Sequence, residues 1–208
     1  MRSSLPKATV ERLPLYLRYL DELPGREATV ASSQLAQKAG VNPANVRKDL
    51  SYLGSYGVRG VGYDVDHLRR QIEGALGLTG DCAVAIVGAG NLGRALVKYD
   101  GFGERGFRIV GIFDVDDAKI GMRIGGRRVE DVAALAATVA QRRVRIGVIA
   151  TPASAAQTVA ELLVASGVRS ILNFAPVVLH APGGVEVRRV DLSTELQVLN
   201  FYLNNPSG

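Results

Sequence analysis

Apolar positions follow two different rhythms along this 208-residue chain. Val10, Leu13, Leu17 and Leu20 recur every three or four residues, the spacing of an amphipathic helix. Pro14 falls inside it and is expected to kink the helix or to mark a late first turn. A short helix follows at about 32–39, with Ser32 or Ser33 as N-cap and Gly40 at its end. The stretch NPANVRKDLSYLG (42–54) opens another, with Asn42 as N-cap and Pro43 at the first helical position. Two short helices joined by a tight Gly-containing turn suggest a helix-turn-helix. Beyond it, Asp64 is placed to cap the helix VDHLRRQIEGAL, whose Val65, Leu68, Ile72 and Leu76 share one face.

From Val84 the rhythm changes. AVAIVGAG (83–90), FRIVGIFDVD (107–116), VRIGVIATP (144–152) and RSILNFAP (169–176) read as strands, and helices are expected near 91–99, 130–140 and 153–166. Near-continuous apolar strands alternating with helices predict a parallel sheet covered on both faces. The fold class is therefore α/β, with GLTGD (77–81) as the linker between the halves. A last helix, TELQVLNFYLNN (194–205), carries Leu196, Val198, Leu199, Phe201, Tyr202 and Leu203 around most of its circumference. Such a helix needs burial on several sides. Docking on its own domain is one solution, and insertion into a second subunit is the favoured one.

Composition narrows the setting without choosing a partner. Hydrophobic residues make up 47% of the chain, enough for packed cores. No apolar run approaches the ~20 residues that span a bilayer, and the N-terminal segment lacks the apolar stretch of a secretory signal. A cytoplasmic protein with no membrane partner is expected. The single cysteine, Cys82, excludes a disulfide framework and a cysteine-based metal site, so no metal is expected. The net charge of +5 is spread out, with 11 Lys+Arg against 8 Asp+Glu in residues 1–78. Placement must decide what charge alone does not.

On the helix at 43–53, Val46, Leu50 and Leu53 fall within an arc of roughly 60° and face the core. The opposite face carries Ala44, Lys48 and Ser51, flanked by Arg47 and Tyr52, while Asp49 falls at the core edge, where it pairs with a neighbouring cation. A basic face of small residues suits a recognition helix in the major groove, although an RK pair alone is usually just a solvated face. The next residues change the balance. SYGVRGVGY (55–63) puts Arg59 beside Gly60 between two short β-like pairs, as at the tip of a hairpin. A hairpin after a helix-turn-helix is a winged helix, whose tip offers a basic residue to the minor groove or backbone. Tyr52, Tyr56 and Tyr63 either pack the wing or meet DNA.

The second chemical signal is Gly88-Ala89-Gly90-Asn91-Leu92-Gly93, directly after one strand and before a helix. In a dinucleotide site the first glycine makes the turn and the second lets pyrophosphate approach the backbone. The third lets helix and strand pack closely. Asp114 ends the following strand, where an acid accepts hydrogen bonds from the ribose hydroxyls and favours NAD over its 2′-phosphorylated form. Asp116 and Asp117 reinforce that preference.

Three further readings remain beside it. An NAD-dependent enzyme with a basic accessory domain is one, but neither His67 nor His180 lies in a catalytic setting and no acid–base constellation assembles. A nucleotide or coenzyme A module is another, because the ATP and NFAP segments resemble the CoA-binding domain of acyl-CoA ligases; Asp114 would repel a 3′-phosphate there. A purely structural oligomer explains neither the glycine loop nor the wing.

Together, VRKDLSYLGSYGVRGVGY (46–63), VGAGNLGRAL (87–96), YDGFGERGF (99–107), FDVD (113–116) and ILNFAPVVL (171–179) resemble the Rex family of bacterial redox-sensing transcriptional repressors. The likeness spans nearly the whole chain and departs only in the non-motif region 117–145. It implies a winged-helix DNA-binding domain over 1–78, a Rossmann-like NAD(H) domain over 79–192 and a C-terminal helix and tail over 193–208 exchanged in a homodimer. It further implies a repressor that holds double-stranded operator DNA and releases it when NADH binds. On the resemblance, Arg47, Lys48 and Arg59 contact DNA, with Ala44, Ser51, Tyr52, Ser55, Tyr56, Gly57 and Gly60 around them. Gly88 through Gly93, with Asp114 and Thr151, hold the dinucleotide, and Tyr99 and Phe174 lie near its nicotinamide. Arg18 and Asp191 match family positions and are expected to form an ion pair that differs between the DNA-bound and released states.

Overall fold

A computed structural model describes residues 5–24 and 28–205 and divides the chain into two compact units, Met1–Gly80 and Asp81–Gly208. Residues 206–208 of the expected tail lie outside the described residues.

The first unit is built on α1 (Lys7–Glu22), α2 (Ser32–Ala39), α3 (Pro43–Tyr52) and α4 (Val65–Leu76). Two-residue strands β1 (Thr29–Val30) and β2 (Tyr63–Asp64) pair antiparallel and pin the wing to the helices. Leu13, Tyr16 and Leu20 of α1 meet Leu35, Val46, Leu50, Leu68 and Ile72 in one apolar core. The helix boundaries follow their caps. Asn42 accepts the Asn45 N–H at 3.0 Å and Asp64 accepts the His67 N–H at 2.7 Å, each satisfying an N-terminal amide that has no partner within its helix. Gly40 ends α2 in the left-handed conformation as expected. Pro14 lies inside α1, at its eighth residue and not in its first turn. One expectation needs correction. The N-cap of α2 is Ala31 rather than Ser32 or Ser33, because the Gln34 side chain reaches back to the Ala31 N–H at 2.7 Å and supplies the cap from inside the helix.

In the second unit, β3 (Cys82–Val87), β4 (Phe107–Asp114), β7 (Ile146–Ile149), β8 (Ser170–Asn173) and β9 (Glu186–Arg189) run parallel with β6 (Arg127–Asp131). A short β5 (Arg123–Ile124) is antiparallel at one edge, and the order across the sheet is β5-β6-β4-β3-β7-β8-β9. Strand β3 is central, with Val84 opposite Ile109 on one side and Ile146 on the other. Its side chains alternate. Ala83, Ala85 and Val87 join the core beneath α6 (Leu135–Arg142) and α7 (Ala153–Ala165), while Val84 and Ile86 join the core with α5 (Asn91–Val97).

The sheet is covered unevenly. A cavity of about 290 Å³ opens over Val84, Phe102, Ile109, Ile146, Val148 and Leu172. The C-terminal helix, α8 (Leu192–Asn204), has no buried residue in the chain. The helix expected near 130–140 begins only at Leu135, because residues 127–131 form β6, Val129 pairing with Ile112. The hairpin that carries β6 turns at Gly125 and Gly126, both at positive φ. Adjacent glycines between two short strands are the local signal for it.

Candidate nucleic-acid interface and dinucleotide site

Helix α3 presents its outer face as the 100° periodicity requires. Val46 and Leu50 are fully buried, whereas Ala44, Arg47, Lys48 and Tyr52 are exposed and Ser51 is half-buried. Arg47 reaches the Ser32 hydroxyl at 3.2 Å, which links α3 to α2 across the turn. The wing closes through Val58 and Gly62, whose amides exchange hydrogen bonds at 2.8 and 2.9 Å, leaving Arg59 and Gly60 exposed at its tip. Tyr56 is 79% exposed and Gly57 is exposed, while Tyr63 is buried and packs the wing. Ser55 departs from its expected role: it is 5% exposed and its amide donates to the Leu50 carbonyl, so the chain turns it inward at the end of α3.

Asp49 is 1% exposed and pairs with a cation as its position at the core edge predicts. Its Oδ2 accepts Arg12 Nε at 2.6 Å and the Tyr16 phenol at 2.7 Å; its Oδ1 accepts Arg12 Nη2 and the Thr9 hydroxyl, both at 2.8 Å. Burial alone would raise the Asp49 carboxyl, but bonds from Arg12, Tyr16 and Thr9 hold it below the usual carboxylate range. Burial and the bond to Asp49 push the Tyr16 phenol up. Thr9, Arg12 and Tyr16 were not singled out from sequence. Their spacing of three and four residues on α1, with a buried acid elsewhere, is the only trace they leave there.

The glycine loop leaves β3 beside β7, where the sheet order reverses and α/β proteins bind ligands. Gly88 has φ +108°, and a Cβ there would stand 2.5 Å from the Ala150 carbonyl oxygen and 3.0 Å from the Thr151 amide. A Cβ on Gly93 would collide with the Gly88 carbonyl. Gly90 differs: nothing among the described residues lies within 4 Å of where its Cβ would be. The outer glycines are needed for packing, and the middle one leaves a cradle. Beside the loop, the buried Thr151 hydroxyl has no hydrogen-bond partner among the described residues, as suits a group reserved for a ligand. Asn91 and Leu92 are exposed at the start of α5, and Ala89 is buried behind them. This donor set and shape fit a dinucleotide.

Asp114, 8% exposed, occupies the end of β4 as expected but is already engaged. Its Oδ2 accepts the Ala89 N–H at 2.7 Å and Lys119 Nζ at 3.3 Å. Its Oδ1 accepts the Val115 and Asp116 amides at 2.9 and 3.0 Å. Burial pushes this carboxyl up, yet the amides of Ala89 and Asp116 and the Lys119 ammonium hold it below its ordinary value. Arg94 adds a second tie, donating to the Ala89 carbonyl at 3.0 Å. Lys119 also meets Asp116 at 3.2 Å and escaped the sequence reading, being isolated among acids.

Tyr99 is exposed and packs edge-to-face on Phe102 at 5.1 Å, and half-buried Phe174 joins the same side of the sheet as Phe102. Phe174 is set by Asn173, whose buried amide bonds the Ala175 N–H and the carbonyls of Ala175 and Val177. Arg18 bonds Glu22 at 3.1 Å within α1, and Asp191 caps α8 through Ser193 and Thr194. His67 and His180 are both exposed.

Residues 4–51 match the family described as "Putative DNA-binding protein N-terminus", and residues 79–177 match the "CoA binding domain". A redox-sensing transcriptional repressor Rex from Streptomyces avermitilis is 56% identical over 205 residues, covering 98% of this chain and 81% of that protein. The Rex of Carboxydothermus hydrogenoformans is 50% identical over 96% of each chain. Among solved structures, RSP, a Rex-family repressor, in complex with β-NAD⁺ and operator DNA, matches with a TM-score of 0.90 at 35% identity over 98% of this chain and 94% of its own. RSP in complex with β-NADH matches with a TM-score of 0.85 at 34% identity, over 98% and 96%. With this identity carried through both the winged unit and the glycine-loop unit, the chain belongs to the Rex family of redox-sensing transcriptional repressors.

Proposed function

We propose that this chain is a homodimeric repressor that holds operator DNA through α3 and the wing and lets go of it when NADH fills the glycine-loop site. The observation that carries the reading is the open space at Gly90 in a loop whose Gly88 packs against Thr151, a residue with a buried, unpartnered hydroxyl, on a chain whose other unit exposes Arg47, Lys48 and Arg59. Both complexes of RSP, one with β-NAD⁺ and operator DNA and one with β-NADH, support it.

In this reading Ala44 and Ser51 permit close approach to the major groove. Arg47 reads a guanine edge and Lys48 and Arg59 meet backbone or groove, with Tyr52, Tyr56, Gly57 and Gly60 alongside. The Gly88–Gly93 loop and α5 hold the pyrophosphate, and Thr151 donates from β7's end. Asp114 reaches the ribose once Lys119 gives way, since its other donors are backbone amides. Tyr99 and Phe174 flank the nicotinamide, whose ring is cationic when oxidised and neutral when reduced.

Leu196, Leu199, Phe201 and Leu203 of α8 are exposed in the chain, and the same unit bears an apolar cavity over Val84, Ile146, Val148 and Leu172. Exchange of α8 between protomers covers both. Because ligand and DNA favour different arrangements of one dimer, each weakens the other by the same free energy, about 1–3 kcal/mol. Arg18 and Asp191 form the ion pair that differs between the two states; a charge-swap double variant without coupling would remove that assignment.

Operator binding to a palindromic duplex selected from random DNA, titrated with NADH and with NAD⁺ at fixed salt, tests the whole. Release by NADH alone is expected. Tight binding indifferent to both would refute the sensing role. Coenzyme A serves as the competing ligand, since residues 79–177 match its binding family; release by coenzyme A in place of NADH would favour that second reading.

A further inference from the structure

Helix α3 is anchored by very little. Of its ten residues only Val46, Asp49 and Leu50 are buried. Val46 and Leu50 lie one turn apart, so they define a seam about which a short helix still rolls; apolar contact is not directional. Asp49 projects roughly 80° round the helix from the midpoint of that seam, at 3.6 residues per turn. All four of its acceptor positions are filled from one side, by Thr9, Arg12 and Tyr16 of α1. Each oxygen takes one guanidinium N–H and one hydroxyl, an arrangement that ties the roll of α3 to α1.

A buried ion pair is seldom the most stable filling for such a place, since well-packed apolar residues often do as well or better. What it adds is direction. Beside the pair lies a recess of about 200 Å³ lined also by Asn45, Lys48 and Tyr52, so the lock adjoins the outward face. A small roll of α3 about the Val46–Leu50 seam would swing Arg47 and Lys48 sideways together.

We infer that Asp49, held by Thr9, Arg12 and Tyr16, is a positioning residue that sets the roll of the recognition helix and thereby the sequence specificity of DNA reading. The inference rests on the DNA-binding role proposed above. It separates two quantities that a general stabiliser would move together. Register on the bases depends on the roll, whereas the attraction of Lys and Arg for phosphate, and its salt dependence, does not.

The test compares the full-length chain with Asp49→Asn, Arg12→Lys and Tyr16→Phe on the selected palindromic duplex and on a random-sequence duplex of equal length, across salt. Lysine cannot engage both carboxylate oxygens as the guanidinium fork does. Asp49→Asn and Arg12→Lys are expected to lose at least about tenfold in palindrome affinity, the scale of one misread base pair. Random-duplex affinity and salt slope should stay within about twofold. Tyr16→Phe, which removes one bond of four, keeps the fold and should show a smaller loss in the same direction; it carries the test if Asp49→Asn does not fold. Folded variants with an unchanged ratio of specific to random binding would overturn the inference while leaving the DNA-binding role intact. A wild-type chain that prefers no duplex would overturn both.

Discussion

The Asp114 carboxylate accepts the backbone N–H of Ala89 at 2.7 Å, so the acid that ends one strand holds the loop that leaves its neighbour. The glycine loop is thereby fixed before any ligand arrives, which lowers the ordering cost of binding. Asp114→Ala leaves the buried Ala89 amide without an acceptor, a loss of ~1–3 kcal/mol. Thermal unfolding should report it, and NADH affinity by calorimetry should fall with it. A full loss of NADH affinity at unchanged melting temperature would instead assign Asp114 to the ligand alone.

Gly90 and Gly93 make a sharper pair. Gly90→Ala meets nothing within 4 Å and its φ of −74° suits alanine, so the melting temperature should not fall. Its new methyl, however, occupies the cradle, and NADH titration should show at least a tenfold weaker site, about 1.4 kcal/mol. Gly93→Ala drives a methyl into the Gly88 carbonyl. It should cost ~1–3 kcal/mol of stability as overpacking does, besides abolishing binding. Equal melting curves for the two variants would refute the division of labour.

Much of this was legible in the sequence, and the exceptions have physical reasons. The caps Asn42 and Asp64, the seam of Val46 and Leu50, and the turn at Gly88 are local, so neighbouring residues suffice to find them. The Ala31 cap was missed because a side chain three residues later supplies it. The end of β6, Glu130 and Asp131, falls where the sequence predicts the start of a helix, because its pairing with β4 lies outside any local window. Arg12 and Tyr16 carry no local signal of their role, because the Asp49 that joins them lies some 35 residues away. The resemblance alone places Ser55 among the DNA contacts, and the turn at the end of α3 carries it inward.

On the DNA side, Arg47→Ala should cost ~1–3 kcal/mol of operator affinity and relax preference at the base pair it reads. Lys48→Ala should weaken all duplexes nearly alike and lower the salt slope by about one. Fluorescence anisotropy across a salt series separates the two. Identical behaviour of Arg47→Ala on all sequences would reassign it to phosphate.

The exposed α8 predicts the oligomeric outcome of a paired change. Leu199 and Phe201 are each 59% exposed in the chain, which no helix this apolar tolerates free in water. Leu199→Asp with Phe201→Asp should convert a dimer into a monomer by light scattering, with both units still folded by circular dichroism. Operator affinity should collapse, because one winged helix reads only a half-site. A monomeric wild type, or a dimer that survives both changes, would remove the exchange of α8.

The Asp49 network makes the first unit sensitive to pH on both sides. The Asp49 carboxyl is held below its ordinary value, so its contribution is complete above the unfolded carboxylate value of ~3.9 and is lost as pH falls through the lower folded one. Tyr16 is shifted the opposite way. Its phenol is raised, so its contribution is complete below ~10 and is lost as pH climbs past the unfolded value. Denaturant melts of the first unit's signal should therefore show a plateau between these limits. Other carboxylates also titrate in acid, so the informative quantity is the difference between wild type and variant. Asp49→Asn should narrow that difference steadily below pH 4 and leave it constant at neutral pH, and Tyr16→Phe should do the same above pH 10. Parallel curves across the whole range would mean that neither group changes its proton affinity on folding, and the buried network would then owe its place to shape alone.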